Sequence, residues 1–226
     1  DGWQIETSRI HVETTVPQVF AESDVATLAR IVDASNNKEL SEWWSSGEWQ
    51  TGNFTPKAYA KWNDENPRRL TELYLYYMGE SFTKKVDLSA LDKLEMLSLN
   101  GNRIEELTLP KGNHVLRELM LYDNWTLSSL ILSEYPSLER LDLGYTGLKA
   151  CDLSYNKRLT SLFFNGTMIP SVENKYPEIA AQLEIYGPPH GISEIDLNKF
   201  PALKRLDMSG SPVLFSGVRN PRQLEG

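Results

Sequence analysis

The chain has 226 residues, of which 40% are hydrophobic and 24% charged, and its formal net charge is −8. No stretch reaches the ~18 apolar residues of a membrane-spanning helix, and an acidic chain without a basic run speaks against nucleic acid and anionic membrane surfaces. The only cysteine is Cys151, which excludes an intrachain disulfide and a cysteine-based zinc cluster.

In chain order, the sequence begins at Asp1 rather than Met, as expected of a processed or trimmed polypeptide whose signal peptide or lipid anchor is gone. Ile5, Ile10, Val12 and Val16 fit either a lead strand ending at Pro17 or the tail of an upstream domain. Val25, Leu28, Ala29 and Val32 have helical spacing, with Ser23 as the expected N-cap. Thr55-Pro56 predicts a second helix start, with Tyr59 and Trp62 on one face. Five of the six tryptophans lie in the first 66 residues, which carry 11 acidic and 5 basic side chains. That segment is thus built by different rules from the leucine-dense remainder.

From Leu70 onward the pattern apolar-x-x-apolar-x-apolar recurs seven times. It stands at Leu70-Leu73-Leu75, Leu94-Leu97-Leu99, Leu116-Leu119-Leu121, Leu138-Leu141-Leu143, Leu159-Leu162-Phe164, Ala180-Leu183-Ile185 and Leu203-Leu206-Met208. A weaker pattern lies between: Ile104-Leu107-Leu109, Leu127-Leu130-Leu132, Leu148-Cys151-Leu153 and Ile192-Ile195-Leu197. Each period of ~22 residues therefore holds two short extended segments and two turns, with no room for a full helix. One such coil cannot bury its apolar row alone, but stacked coils bury a continuous ladder. Val213-Leu-Phe is placed to close the last coil, and residues 219–226 read as a tail.

The iterated motif over residues 70–211 resembles the leucine-rich-repeat family, consensus LxxLxLxxN. Asn102 and Asn124 match the Asn position, whereas Tyr145-Thr146, Gly166-Thr167 and Gly210-Ser211 put Thr or Ser there, and Met78 and Pro188 stand in the first and sixth copies. The run from Asp24 through the tryptophans to Arg68-Arg69-Leu70 looks like the N-terminal cap that precedes such repeats. The paired half-repeats look most like bacterial, Bacteroidetes-like, cell-surface members. The resemblance implies a leucine-rich-repeat solenoid, α/β in the broad sense but β-dominated. It would have a right-handed curved parallel sheet of about seven coils, a helical Trp-rich cap over 1–66, and repeats over 67–218. It also implies a secreted, periplasmic or cell-surface location, a monomer, and a lipid anchor in the precursor as one option.

Between the leucines, three outward columns follow from the register. Tyr74, Tyr76, Met96, Glu118, Met120, Tyr122, Asp142, Phe163 and Tyr186 occupy them as large or charged groups, and together form the candidate ligand face. Enzyme signatures are missing: there is no GxGxxG, P-loop, HExxH or GxSxG. Asp142, Glu184 and Asp207 share a column, but sheet-surface carboxylates are usually solvated. Cys151 fills a leucine slot and reads as buried core. Asp87, Asp152 and Asp196 recur too far apart for a calcium ladder, and His11, His114 and His190 form no metal motif. The sequence thus predicts a non-enzymatic module without cofactor or metal. It binds a protein or glycan on its concave face; the competing reading is an architectural spacer of a larger surface protein, with a hydrolase a distant third. Of the Asn-x-Thr sequons at Asn53, Asn124 and Asn165, Asn124 sits at an inward ladder position unfit for a glycan.

Overall fold

A computed structural model of the chain describes residues 19–148, 153, 155–163, 194–196, 202, 204–207 and 214–216. Three helices come first: α1 (Glu22–Ala34), α2 (Lys38–Ser45) and α3 (Glu48–Thr51). Strand β1 (Ala58–Trp62) follows. From there on the coils supply β2 (Leu70–Leu75), β3 (Lys85–Asp87), β4 (Met96–Ser98), β5 (Glu106–Thr108), β6 (Glu118–Met120), β7 (Arg140–Asp142) and β8 (Ser161–Phe163). Then come β9 (Glu194–Asp196), β10 (Arg205–Asp207) and β11 (Leu214–Ser216).

The main sheet has seven strands in the order β1-β2-β4-β6-β7-β8-β10. All pairs are parallel except β1–β2, which is antiparallel. Leu73, Leu97, Leu119, Leu141 and Leu162 stand opposite one another in register and are fully buried. Leu70, Leu94, Leu116, Leu138 and Leu159 repeat that burial three residues earlier in each coil. The fold is therefore a parallel-sheet solenoid with few helices, and its stability grows with each leucine stacked on its neighbour, at ~1.5–3 kcal/mol per buried side chain.

The second segments of the coils form two smaller parallel pairs, β3–β5 and β9–β11. Between coils, the chain turns on buried asparagines. Asn102 Nδ2 donates to the carbonyls of Leu75 and Leu99, and its Oδ1 accepts from the Met78 amide at 2.8 Å. Asn124 does the same for Leu99, Leu121 and the Ile104 amide. Met78 lacks its own asparagine, yet its amide is served by the next coil. At the opposite corner Asn113 accepts from the Val115 and Leu116 amides and donates to the Leu94 carbonyl. Asn156 donates to Leu132 and Tyr135 there. The residue before the first corner takes left-handed backbone in each described coil: Tyr77, Gly101, Asp123 and Tyr145 have φ of 46, 73, 57 and 52°.

Two expectations are corrected. Helix α1 starts at Glu22, with Ala21 at the N-cap and no capping side chain, and Ser23 instead donates to Asp24 Oδ1 at 2.9 Å. The Thr55-Pro56 segment starts no helix. Thr55 Oγ1 accepts from the Ala58 amide and donates to the Ala58 carbonyl, a turn that launches β1 alongside β2. Strand β8 pairs with β10, Leu162 opposite Leu206. The copy at 180–185 lies outside the described residues.

The N-terminal helices share one core with the solenoid. Leu28, Ile31, Val32, Leu40, Trp43, Trp49 and Trp62 join the same apolar cluster as the leucine rows. Phe20 meets Trp62 edge-on at 4.8 Å, and Trp44 stacks on Trp49 at 4.8 Å. Asn37 caps α2 through the Leu40 amide. No helix among the described residues is long and apolar enough to cross a membrane.

Candidate functional site

Side chains that alternate with the buried leucines stand on the outward face of the sheet. The pairing register arranges them in rows across the strands. One row reads Lys61, Glu72, Met96, Glu118, Arg140, Ser161. The next reads Tyr59, Tyr74, Ser98, Met120, Asp142, Phe163. A third follows from amide bonds just beyond the strands, Tyr77 to Asn100, Gly101 to Tyr122 and Asp123 to Gly144, and aligns Tyr76, Asn100, Tyr122 and Gly144.

Eight of the nine candidate residues fall on this face and are half-buried: Tyr74, Tyr76, Met96, Glu118, Met120, Tyr122, Asp142 and Phe163. Tyr186 lies outside the described residues, as do Glu184, Cys151, Asp152, His11, His190 and Asn165. His114 and Asp87 are exposed, and Asp87 Oδ1 accepts from the Ser89 amide, a turn-bonding role. Asn124 is fully buried and bonded through both ends of its amide.

The face divides into two parts. Toward the N-terminal edge, four rings touch in a continuous shelf. Tyr59 lies 5.2 Å from Tyr74, Tyr74 lies 5.6 Å from Tyr76, and Phe54 contacts all three at 5.5–6.4 Å between centroids. Phe54, from the loop between α3 and β1, is 63% exposed. Tyr74 donates to Glu72 Oε2 at 3.3 Å and also contacts the Met96 sulfur. Burial, with the Glu72 carboxylate second, holds the Tyr74 phenol far above its usual pKa, and burial likewise raises Tyr76. Glu72 is bridged at 2.6 Å by Lys61, whose pKa rises through that bond. Farther along, Tyr122 meets Tyr145 edge-on at 5.2 Å, Arg140 lies 5.5 Å over the Phe163 ring, and Asp142 Oδ1 accepts from the Gly144 amide.

The shelf contains two residues that sequence reasoning left out. Phe54 and Tyr59 precede the repeats, and the helix start read at Thr55-Pro56 hid the outward position of Tyr59. A strand of period two would have separated Tyr59, half-buried on the outward face, from Trp62, buried on the inward one. The arrangement presents rigid aromatic groups with polar tips, suited to holding a ligand by contact and hydrogen bonding. No protein-family model matches the chain, and no curated protein is similar to it.

Proposed function

We propose that this chain is a non-enzymatic recognition module of the leucine-rich-repeat type, binding a protein or glycan on the outward, concave face of its sheet. The observation that carries the reading is the gathering of aromatic and methionine side chains at outward positions of one sheet face: Phe54, Tyr59, Tyr74 and Tyr76 in mutual contact, with Met96, Met120, Tyr122 and Phe163 farther along. Isolated exposed aromatics are ordinary, but adjacent ones in register mark an interaction surface. The repeat type is supported by the leucine register and by Asn102 and Asn124, whose side chains bond the backbone at the turn as that family's asparagine does. Helices α1–α3 and β1 serve as the cap of the first coil, since its leucine row would otherwise meet water. The module acts outside the cytoplasm, in the envelope or at the cell surface of a bacterium, in keeping with the style of its half-repeats.

The test is a screen of the whole chain against a glycan array and secreted proteins, followed by variants. Tyr122→Ala and Phe163→Ala are expected to weaken the ligand at least tenfold, by about 1.4 kcal/mol or more, while Lys157→Ala leaves binding unchanged. Equal losses on both sets would refute the site, and a chain that captures nothing would support the architectural-spacer reading instead.

A further inference from the structure

We infer that the ligand of this face is an uncharged, extended carbohydrate seated on the ring shelf of Phe54, Tyr59, Tyr74 and Tyr76; the inference rests on the recognition reading above. The shelf is shared between two parts of the chain. Phe54 and Tyr59 come from the N-terminal segment, Tyr74 and Tyr76 from β2 and its end. The N-terminal segment is thereby half of the binding surface as well as a cover for the first coil.

The geometry selects among ligand classes. Neighbouring ring centroids lie 5.2–6.4 Å apart, the separation of rings in mutual contact. No slot remains between them for a quaternary ammonium or a methylated lysine, which need a cage around the cation. The rings offer faces and edges to solvent instead. Both lysines beside the shelf are paired, Lys61 with Glu72 at 2.6 Å and Lys57 with Glu39 at 2.5 Å, while the carboxylates of Glu95 and Glu118 also act on Lys61 and Tyr74. With both lysines paired, an anionic ligand gains no attraction here, and a basic one is told apart from a neutral one by the salt dependence of its binding.

What the shelf does offer is apolar ring surface bordered by groups that donate and accept hydrogen bonds. These are the tyrosine hydroxyls, of which that of Tyr74 already donates to Glu72 and keeps its acceptor capacity, and, next to Tyr76 in its row, the amide nitrogen of Asn100, whose Oδ1 is buried. A neutral sugar carries the complementary pair, C–H faces and hydroxyls. The ligand is a chain rather than a single ring because the row continues. With strands ~4.8 Å apart, Tyr76, Asn100 and Tyr122 place ring, amide and ring over ~10 Å, so a polymer crossing the strands meets them in turn. Rigid aromatic side chains on a sheet lose little entropy on such contact.

The test uses the full chain with a neutral mannan, galactan, xylan and β-glucan, beside an acidic polysaccharide and polylysine, by affinity electrophoresis and calorimetry. The expected result is binding of at least one neutral polysaccharide, constant within about threefold between ~0.05 and ~0.5 M salt. Phe54→Ala and Tyr74→Ala should weaken it at least tenfold, and Ile131→Ala, an exposed residue of a second segment, should not. Tyr74→Phe, which keeps the ring and removes only the hydroxyl, should weaken it severalfold with an unchanged thermal melt, separating ligand contact from folding. Failure of every neutral polysaccharide, or undiminished binding by the shelf variants, overturns the inference. Salt-sensitive binding to polylysine alone would point to a basic protein partner, overturning the carbohydrate class but leaving the recognition face. Loss in Tyr122→Ala and Phe163→Ala with none in the shelf variants would move the site along the face and remove the shelf.

Discussion

At Gly147 an added Cβ would lie 2.2 Å from the carbonyl oxygen of Trp125, a backbone atom of the preceding coil. At Gly101 it would also fall 2.2 Å from its nearest neighbour, but that neighbour is the ring of Tyr77, a side chain 53% exposed. A ring at the surface swings away, whereas a coil backbone must shift as a unit. Gly147→Ala is therefore expected to cost more, ~1–3 kcal/mol of overpacking strain, than Gly101→Ala, ~1–2 kcal/mol for its left-handed backbone; urea titration of both variants checks the order. The asparagine corners were readable, since the motif places Asn102 and Asn124. The need for Gly147 was not, because the approach of Trp125 is a contact between coils and leaves no mark on either sequence. Tyr135 gives a pH test at the same scale. Its hydroxyl donates to the Pro110 carbonyl at 3.1 Å, and burial pushes the phenol up to about 12. The folded chain keeps this proton where the unfolded chain, with an ordinary tyrosine near pH 10, loses it. The stability it contributes is full below about pH 10 and is lost as pH rises toward about 12. Tyr135→Phe should flatten that part of an alkaline unfolding profile, and an unchanged slope would refute the assignment.

A strand or a helix is legible in sequence only as far as its period is long enough to be counted. The leucine ladder repeats over many coils, so the register read from it matches the pairing of β2, β4, β6, β7 and β8 residue for residue. The five residues of β1 offered no such count. Thr-Pro has the local chemistry of a helix start, but the free edge of β2 overrode it by pairing, Tyr59 opposite Tyr74 and Ala60 opposite Leu73. Within the counted ladder the expectation is firm. Leu119 and Leu141 sit at the centre of the sheet with no exposed surface. Leu119→Ala or Leu141→Ala should each cost ~2–5 kcal/mol. A loss below about 1 kcal/mol by denaturant titration would mean that the core at these positions is not packed as described.

Across the whole molecule, the N-terminal segment and the solenoid are joined by a buried ion pair as well as by apolar contact. Asp24, with no exposed surface, accepts from Arg69 through both carboxylate oxygens at 3.0 Å and from the Leu70 amide at 2.8 Å. Arg69 reaches on to the Ala90 carbonyl and to Asp92 in the next turn. Asp24→Ala leaves the buried Leu70 amide without its acceptor while Arg69 keeps Asp92, so it should cost ~1–3 kcal/mol. The sequence showed both regions and the point where they meet, at Arg69-Leu70, but not this bond, because Asp24 and Arg69 are 45 residues apart and each is unremarkable alone. Deleting residues 1–66 goes further. It takes away Asp24, the partner strand of β2, and the tryptophans that share the core with Leu70 and Leu73. The first coil is left with an unpaired strand edge and an uncovered apolar row, the combination that drives edge-to-edge association. A chain of residues 67–226 is therefore expected to aggregate or to melt well below the full chain, measured by sedimentation and thermal unfolding side by side. If it remains monomeric with the same melting temperature, the two regions are independent, and neither the shared core nor the ion pair contributes to holding the solenoid together.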